Sequence, residues 1–551
     1  MLHRGCSSFT HGSWGSEDVD STASFRKFEF LNLSMHIRII HILTLLLIWD
    51  LSPAQHISEF TSVIPGAQDA QMHIPSSHTY QYIIEHGDSL TAGGTIPDNF
   101  DFTGYVPIDG SSAKGYLSIN SERITGGVTI LDIFLDHAKG QWLVSASQGV
   151  DFGPWGGTSR NCSGTITPWN TVISCEEEIN VKDDNSDLYF DYGWAVEIDP
   201  MTRTVVDKLW ALGNFEHENA AVHDNRQTVY QGVDADPGYL YKFVADAVGD
   251  LSAGKLYTYR GAKSGTGEWI RIPNSSIEER NQTKSLSADV NATVFDGIED
   301  VEIGLDGMVY VAVKGEGRVY RFRDEDPFGD IVTSFETFVG GQSYEINYDG
   351  GTSMEPWGSG NDNLAFDELG NLWVLQDGSR DYIWLVRSGH TQDEPKVEIF
   401  GRSPAGSEPT GITFTPDYRY LFMSFQHPSA DNSSAMQGDA FGNPRAFDKD
   451  VAIVIARNEY LGDAIVATKD YGEGSLDVYP NPASNFLSVR LPQEVQISHI
   501  KIIDASGRII RRITCQNQSH CDIEIGGITP GVLYLLPEAA ERIRPVKVII
   551  F

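Results

Sequence analysis

The sequence predicts an all-β fold, a β-propeller followed by a small C-terminal β-sandwich, on three observations. The 551 residues include 54 glycines and 11% aromatic side chains with few long apolar helical stripes, a balance that suits short strands and tight turns. One phrase also recurs: a polar or acidic residue, an apolar alternation, a Gly/Asp/Asn turn, then an apolar-aromatic run. It is clear in ENAAVHDNRQTVYQG from Glu218, EDVEIGLDGMVYVAV from Glu299, DNLAFDELGNLWVLQ from Asp362 and PTGITFTPDYRYLFMSF from Pro409, with a looser relative from Gly193. Each copy reads as a β-hairpin. Finally, hairpins at long, irregular intervals suggest propeller blades separated by insertions. A sandwich or several small β domains are the competing architectures, and four copies do not fix a blade number.

The repeats share a carboxylate or carboxamide near the start of the first strand: Glu218, Glu299, Asn361 with Asp362 and Asn363, and Glu408. At a single turn such a residue is ordinarily a cap. At matched positions on inner strands, these groups converge on the central channel, and crowded carboxylates demand cations.

Charge narrows the function. With 40 Lys+Arg against 76 Asp+Glu the formal net charge is -36. That argues against nucleic acid as a partner, since phosphate neutralisation needs basic clusters. An anionic small-molecule substrate would need metal cations.

The strongest apolar run, residues 39–48, follows Arg38 and precedes small residues with Ala54. It is shorter than the roughly 20 residues needed to span a bilayer, and its flanks are those of a signal peptide. We expect Met35 to be the initiator, residues 1–34 an untranslated or disordered extension, 35–54 a signal peptide, 80–470 the propeller and 474–551 the small β unit. Of the five cysteines, Cys6 lies in that extension, and Cys515 and Cys521 are close enough to staple a loop, although spacing alone leaves their state open.

The densest chemistry is NCSGTITPWNTVISCEEE, Asn161 to Glu178. Thiolate with carboxylate suits a transition metal such as iron or zinc, and carboxylates alone suit calcium. On a strand, Cys175 and Glu177 would share one face and Glu176 and Glu178 the other. The His217-Glu218 pair with His223 has HExxxxH spacing, which does not place two imidazoles one helical turn apart, so the metalloprotease reading fails. No GxSxG elbow or Walker A loop is present. The acidic stretch 182–191 reads as a solvated loop, with loose calcium binding as the alternative.

Taken together, NCSGTITPW, ISCEEE, FEHENAAV, YQGVDADPGYLYKF, NDNLAFDELGNLWVLQDG and SEPTGITFTPDYRYLFMSFQHP resemble the ordered blocks of the PhoX alkaline phosphatases. The resemblance implies a six-bladed propeller outside the cytoplasm that hydrolyses phosphate monoesters with an iron pair (Fe3+) and several calcium ions, the irons bridged by a cysteine. Carried over by motif, it makes Cys175 the bridging thiolate, Glu176 and Glu177 candidate ligands, and Glu218 and Glu299 further ligands. Cys175, Glu218 and Glu299 would be the catalytic set, with Asp234, Asn363 and Glu408 as candidates for calcium or for supporting roles. One departure stands out: the family carries an Arg two residues before the glutamate matching Glu299, where this chain has Gly297. Arg318 and Arg321 are nearby in sequence, but an outer, solvent-facing strand is the simpler place for them.

The tail, with VYPNPASNFLSV, IIDASGRII and GITPGVLYLL, resembles the C-terminal sorting domain of the type IX secretion system. That implies a Bacteroidota-like source, a surface or secreted location, and the secretion machinery as a partner. The expected protein is a monomeric exported phosphatase. A calcium-dependent propeller hydrolase of lactonase or phosphotriesterase type, and a non-catalytic surface-binding propeller, are the alternatives; neither needs Cys175.

Overall fold

The computed structural model describes residues 56–462 except Ser379, and parts of 476–550 (480–482, 484–485, 491–496, 505–508, 516–519, 527, 529–530 and 540–545 excepted). The expected leader, within 1–54, lies outside the described residues.

Six antiparallel blades form a closed ring. Blade 1 comprises Phe100–Pro107, Lys114–Ser121, Gly127–Asp136 and Gln141–Gly149, from the inside outward. Blade 2 comprises Asn161–Ile166, Val172–Glu176, Ala195–Asp199 and Thr204–Lys208. Blade 3 is His217–Val222, Thr228–Val233, Leu240–Ala247 and Asp250–Gly261, and blade 4 is Ile298–Ile303, Val309–Val313, Arg318–Asp324 and Ile331–Gly340. An extra strand, Gly265–Ile272, pairs with the outer strands of both and joins them into one nine-stranded sheet. Blade 5 is Asn361–Phe366, Leu372–Gln376, Tyr382–Val386 and Val397–Arg402. Blade 6 takes Glu408–Phe414, Tyr420–Gln426 and Val451–Arg457 from the end of the propeller and His78–Glu85 from its beginning.

The four clear repeats are the inner hairpins of blades 3 to 6. The looser one, from Gly193, instead supplies the outer two strands of blade 2. The second strands read as continuous apolar runs because each blade is buried on both faces. Successive side chains of a strand point to opposite faces, so Val311 enters the apolar layer between blades 3 and 4, and Ala312 the layer between blades 4 and 5. Likewise Val374 and Trp373 face blades 4 and 6 respectively. Six such layers, one per pair of neighbouring blades, form the core.

Closure depends on the first strand. Gln81 pairs in register with Val454 of blade 6, and its carboxamide also bonds the outermost strand of blade 1. Gln81 Nε2 donates to the Trp142 carbonyl at 2.6 Å, and Trp142 N donates to Gln81 Oε1 at 2.9 Å. A separate unit beyond the propeller packs a three-stranded sheet against a four-stranded one over Leu487, Val489, Ile500, Ile502, Leu535 and Val548. This is the expected sandwich, and its Cys515 and Cys521 form a disulfide.

Gln81→Ala leaves a buried N–H and C=O of Trp142 without their partner. We expect it to destabilise the protein by about 2–3 kcal/mol, read as a lower denaturation midpoint at unchanged m-value.

Candidate metal centre

In an antiparallel hairpin the start of the inner strand and the end of the second strand lie at the same end of the sheet. Repeated six times, that places two rings of side chains at one mouth of the channel. The second residue of each inner strand in blades 1 to 5 is Asp101, Cys162, Glu218, Glu299 and Asp362; blade 6 opens on Glu408. Every inner strand shifts register within its first few residues, and such bulges re-aim side chains at the rims of sheets. The residue directly after each second strand is, in order, Glu122, Glu177, Asp234, Lys314, Asp377 and His427.

The rings interlock as three triads whose ligand atoms lie within 4.8 Å of one another: Asp101, Glu122 and Cys162; Cys162, Glu177 and Glu218; Glu218, Glu299 and Asp362. Cys162 belongs to the first two triads and Glu218 to the last two. The Cys162 Sγ lies 3.4 Å from Asp101 Oδ2 and 3.3 Å from Glu218 Oε1. One S–H cannot satisfy both acceptors. Asp101 Oδ1 and Glu218 Oε2 are buried without a hydrogen-bond partner, which is costly unless something else fills their lone pairs. The donor set therefore fits cations: sulfur with oxygen in two triads suits a transition metal, and oxygen alone in the third suits a hard ion such as calcium.

Burial, reinforced by neighbouring carboxylates, raises the affinity of these groups for protons. It pushes Asp101 up to about 7, with Glu122 adding to the effect. Glu299 rises to about 8 through burial and Asp234, partly offset by Lys314. Burial lifts Glu218 and Asp362 well above the usual carboxylate range, with Glu299 contributing to both. The Cys162 thiol is also raised, by burial and then Asp101 and Glu218. Without cations Asp101, Glu218, Glu299, Asp362 and Cys162 are pushed toward their protonated forms, and a bound ion must displace those protons.

The next position along four inner strands ties the blades together. Asn219 donates to the Val301 carbonyl at 3.1 Å and to the Asp300 carboxylate, and Asp300 accepts from Leu364 N at 2.6 Å. Asn363 donates to Ser163 Oγ at 3.3 Å and to Asp362 Oδ1 at 2.9 Å, while its own oxygen accepts from Gly411 N.

Of the residues expected from sequence, Glu177, Glu218 and Glu299 meet in the triads. Asp234 borders Glu177 and Glu299, and Glu408 borders Asp377 and Asp101. Three are placed elsewhere. Cys175 lies in the apolar layer between blades 2 and 3 with Ile173, Ala195 and Val229. Glu176 is buried against Lys208, 3.2 Å away, and accepts from Thr158, Gly193 and Trp194. The strand ends at Glu176, so its alternation does not carry Cys175 to the face that Glu177 reaches. Asn363 is committed to joining blades, and the ring position is its neighbour Asp362. Sequence reasoning missed Asp101, Glu122, Cys162 and Asp377; extending the repeat to blades 1 and 2 would have exposed the first three.

Arg318 and Arg321 sit on the third strand of blade 4, with Arg318 bonded to Thr337 and Arg321 to Glu336 and Tyr310. At Gly297, φ is +70°, and a Cβ would lie 2.6 Å from Asp234 Oδ1, so an arginine does not fit this backbone without a shift. His217 is turned into the core, its Nε2 2.9 Å from the Gly213 carbonyl, and burial lowers it to about 3.

Fold and site define a six-bladed propeller with an acid- and thiol-lined mouth. Residues 134–429 match the family Alkaline phosphatase PhoX, and residues 477–550 match the Secretion system C-terminal sorting domain. The chain belongs to the PhoX alkaline phosphatase family, which is metal-dependent, and its sorting domain marks it for the cell surface or the exterior. A Pseudomonas fluorescens PhoX solved in complex with vanadate, a transition state analogue, is 21% identical with a TM-score of 0.59, covering 74% of this chain and 99% of that one. A putative 6-phosphogluconolactonase from Bacteroides uniformis is 11% identical with a TM-score of 0.36, covering 69% and 100%. A Staphylococcus aureus virginiamycin B lyase with quinupristin is 12% identical with a TM-score of 0.35, covering 68% and 99%. No curated protein sequence matches the chain.

A carboxyl whose folded pKa is raised stabilises the fold below its unfolded value, near 4, and loses that contribution as pH rises through the folded value. With Asp101 near 7 and Glu299 near 8, chelator-treated protein should melt lower as pH rises from about 4 to 8, by on the order of 10 °C. Added calcium and iron should flatten that slope, as read by thermal denaturation.

Proposed function

We propose that the protein is an exported phosphomonoesterase working with iron and calcium. The observation that carries this reading is the run of three largely buried triads joined through Cys162 and Glu218, two of whose members, Asp101 and Glu218, have a buried carboxylate oxygen without a partner. Iron would be held by Asp101, Glu122, Cys162, Glu177 and Glu218, with Cys162 in the bridging role assigned from sequence to Cys175. Calcium would be held by Glu218, Glu299 and Asp362, with Asp234, Asp377 and Glu408 supplying negative charge around it. Bound cations supply positive charge for the phosphate oxygens and activation of water.

The chain contributes the placement. The inner-strand bulges hold the ligands at one mouth, and the Asn219, Asp300 and Asn363 bonds beneath them fix the spacing between blades. Positioning of this kind dominates phosphoryl transfer, where little covalent work falls to the protein. The thiol between two triads favours this reading over a hydrolase using calcium alone, since calcium has no use for sulfur. The leader, propeller and sorting domain then divide the tasks of export, chemistry and outer-membrane passage.

Elemental analysis paired with p-nitrophenyl phosphate turnover tests the assignment. Cys162→Ser should lose iron and at least about 100-fold in kcat/KM, and Cys175→Ser should retain both. The opposite pattern would return the bridging role to Cys175, and iron-free protein with full turnover would remove iron from the mechanism.

A further inference from the structure

The outer ring breaks its own pattern in blade 4. The residue after the second strand is a carboxylate in blades 1, 2, 3 and 5 and His427 in blade 6, whereas in blade 4 it is Lys314. The Lys314 Nζ lies 2.9 Å from Glu299 Oε1 and 3.1 Å from Asp377 Oδ2. Its side chain is 38% exposed, against 5% for Glu299, so the ammonium stands between the buried ring and the open mouth. An ammonium has three N–H donors, and the two carboxylates account for two of them.

The neighbouring position carries no side chain. A Cβ at Gly297 would lie 3.6 Å from Lys314 Cβ and 2.6 Å from Asp234 Oδ1, and φ at Gly297 is +70°. The shelf beside the lysine is therefore bare main chain, where most side chains would be strained.

We propose that Lys314 is a substrate-binding residue of this site, its ammonium donating to an oxygen of the phosphate group. The proposal rests on the phosphatase reading above. A phosphate dianion approaching a mouth crowded with carboxylates is repelled unless cations face it. Lys314 is a cation that belongs to the chain and remains when metal ions are withdrawn. It acts as a point charge, not as the planar fork of an arginine. The Glu299 and Asp377 carboxylates orient it.

The test uses the full metal-loaded chain with inorganic phosphate as the probe, measured by calorimetry, alongside iron and calcium content and steady-state kinetics. Lys314→Gln should weaken phosphate binding by about 10- to 100-fold and raise KM more than it lowers kcat, with metal content unchanged. Lys314→Arg should recover part of the phosphate affinity, which a lysine serving only as a counter-charge to Glu299 does not predict. Unchanged phosphate affinity in Lys314→Gln at wild-type metal content would overturn the proposal. So would an extra bound calcium in Lys314→Gln together with wild-type affinity, which would make the lysine a stand-in for an ion. Wild-type protein that binds metals but neither binds phosphate nor turns over phosphoester would overturn the phosphatase reading itself, and this proposal with it.

Discussion

The site rests on electrostatic crowding at one mouth of the channel. Asp101, Glu122, Glu177, Glu218, Glu299 and Asp362 approach one another with Cys162 among them, and most are buried. Charges of one sign brought together out of water are tolerable only if they hold protons or cations. Burial pushes Asp101, Glu299, Glu218 and Asp362 toward the first option. The unpartnered oxygens of Asp101 and Glu218 suit the second. A protein with a formal charge of -36 would receive an anion at this mouth only if cations bound there, together with Lys314, offset the carboxylates.

The rest of the propeller holds that crowding in place. Each blade is buried on both faces, so its position is fixed by two apolar layers, and the Gln81 link between blades 6 and 1 completes the circle. Blades mutually fixed in this way cannot spread to relieve repulsion without opening several layers at once. The bulges turn the second inner-strand residues inward, and the Asn219, Asp300 and Asn363 bonds directly below restrain the spacing. Strain at the mouth is thus carried by packing far from it.

Much of this was legible in the sequence, and the failures have physical causes. The hairpins from Glu218, Glu299, Asp362 and Pro409 stood out because second strands buried on both faces read as unbroken apolar runs. Six blades and the sorting domain came through family resemblance, and export also through the signal-peptide pattern around residues 39–48. Cys175 was assigned through the family motif; the strand stops at Glu176, so alternation does not carry it to the face that Glu177 reaches. Asn363 likewise came through the family motif; the bulge, which moves the inward-facing position by one residue, leaves no mark in the periodicity. Glu122, Asp377 and Lys314 follow second strands whose partners become clear only when all six blades are aligned. The neutralisation of Glu176 by Lys208 joins the second strand of blade 2 to the outermost strand of the same blade, a contact that no local pattern announces.

The most direct measurement is a crystal structure of the metal-loaded protein with anomalous data collected across the iron absorption edge. Iron peaks within bonding distance of Cys162 Sγ, shared with Asp101, Glu122, Glu177 or Glu218, and none at Cys175, are the predicted result. Carboxylates that remain metal-free in iron- and calcium-saturated crystals, or iron seated at Cys175, would contradict the account.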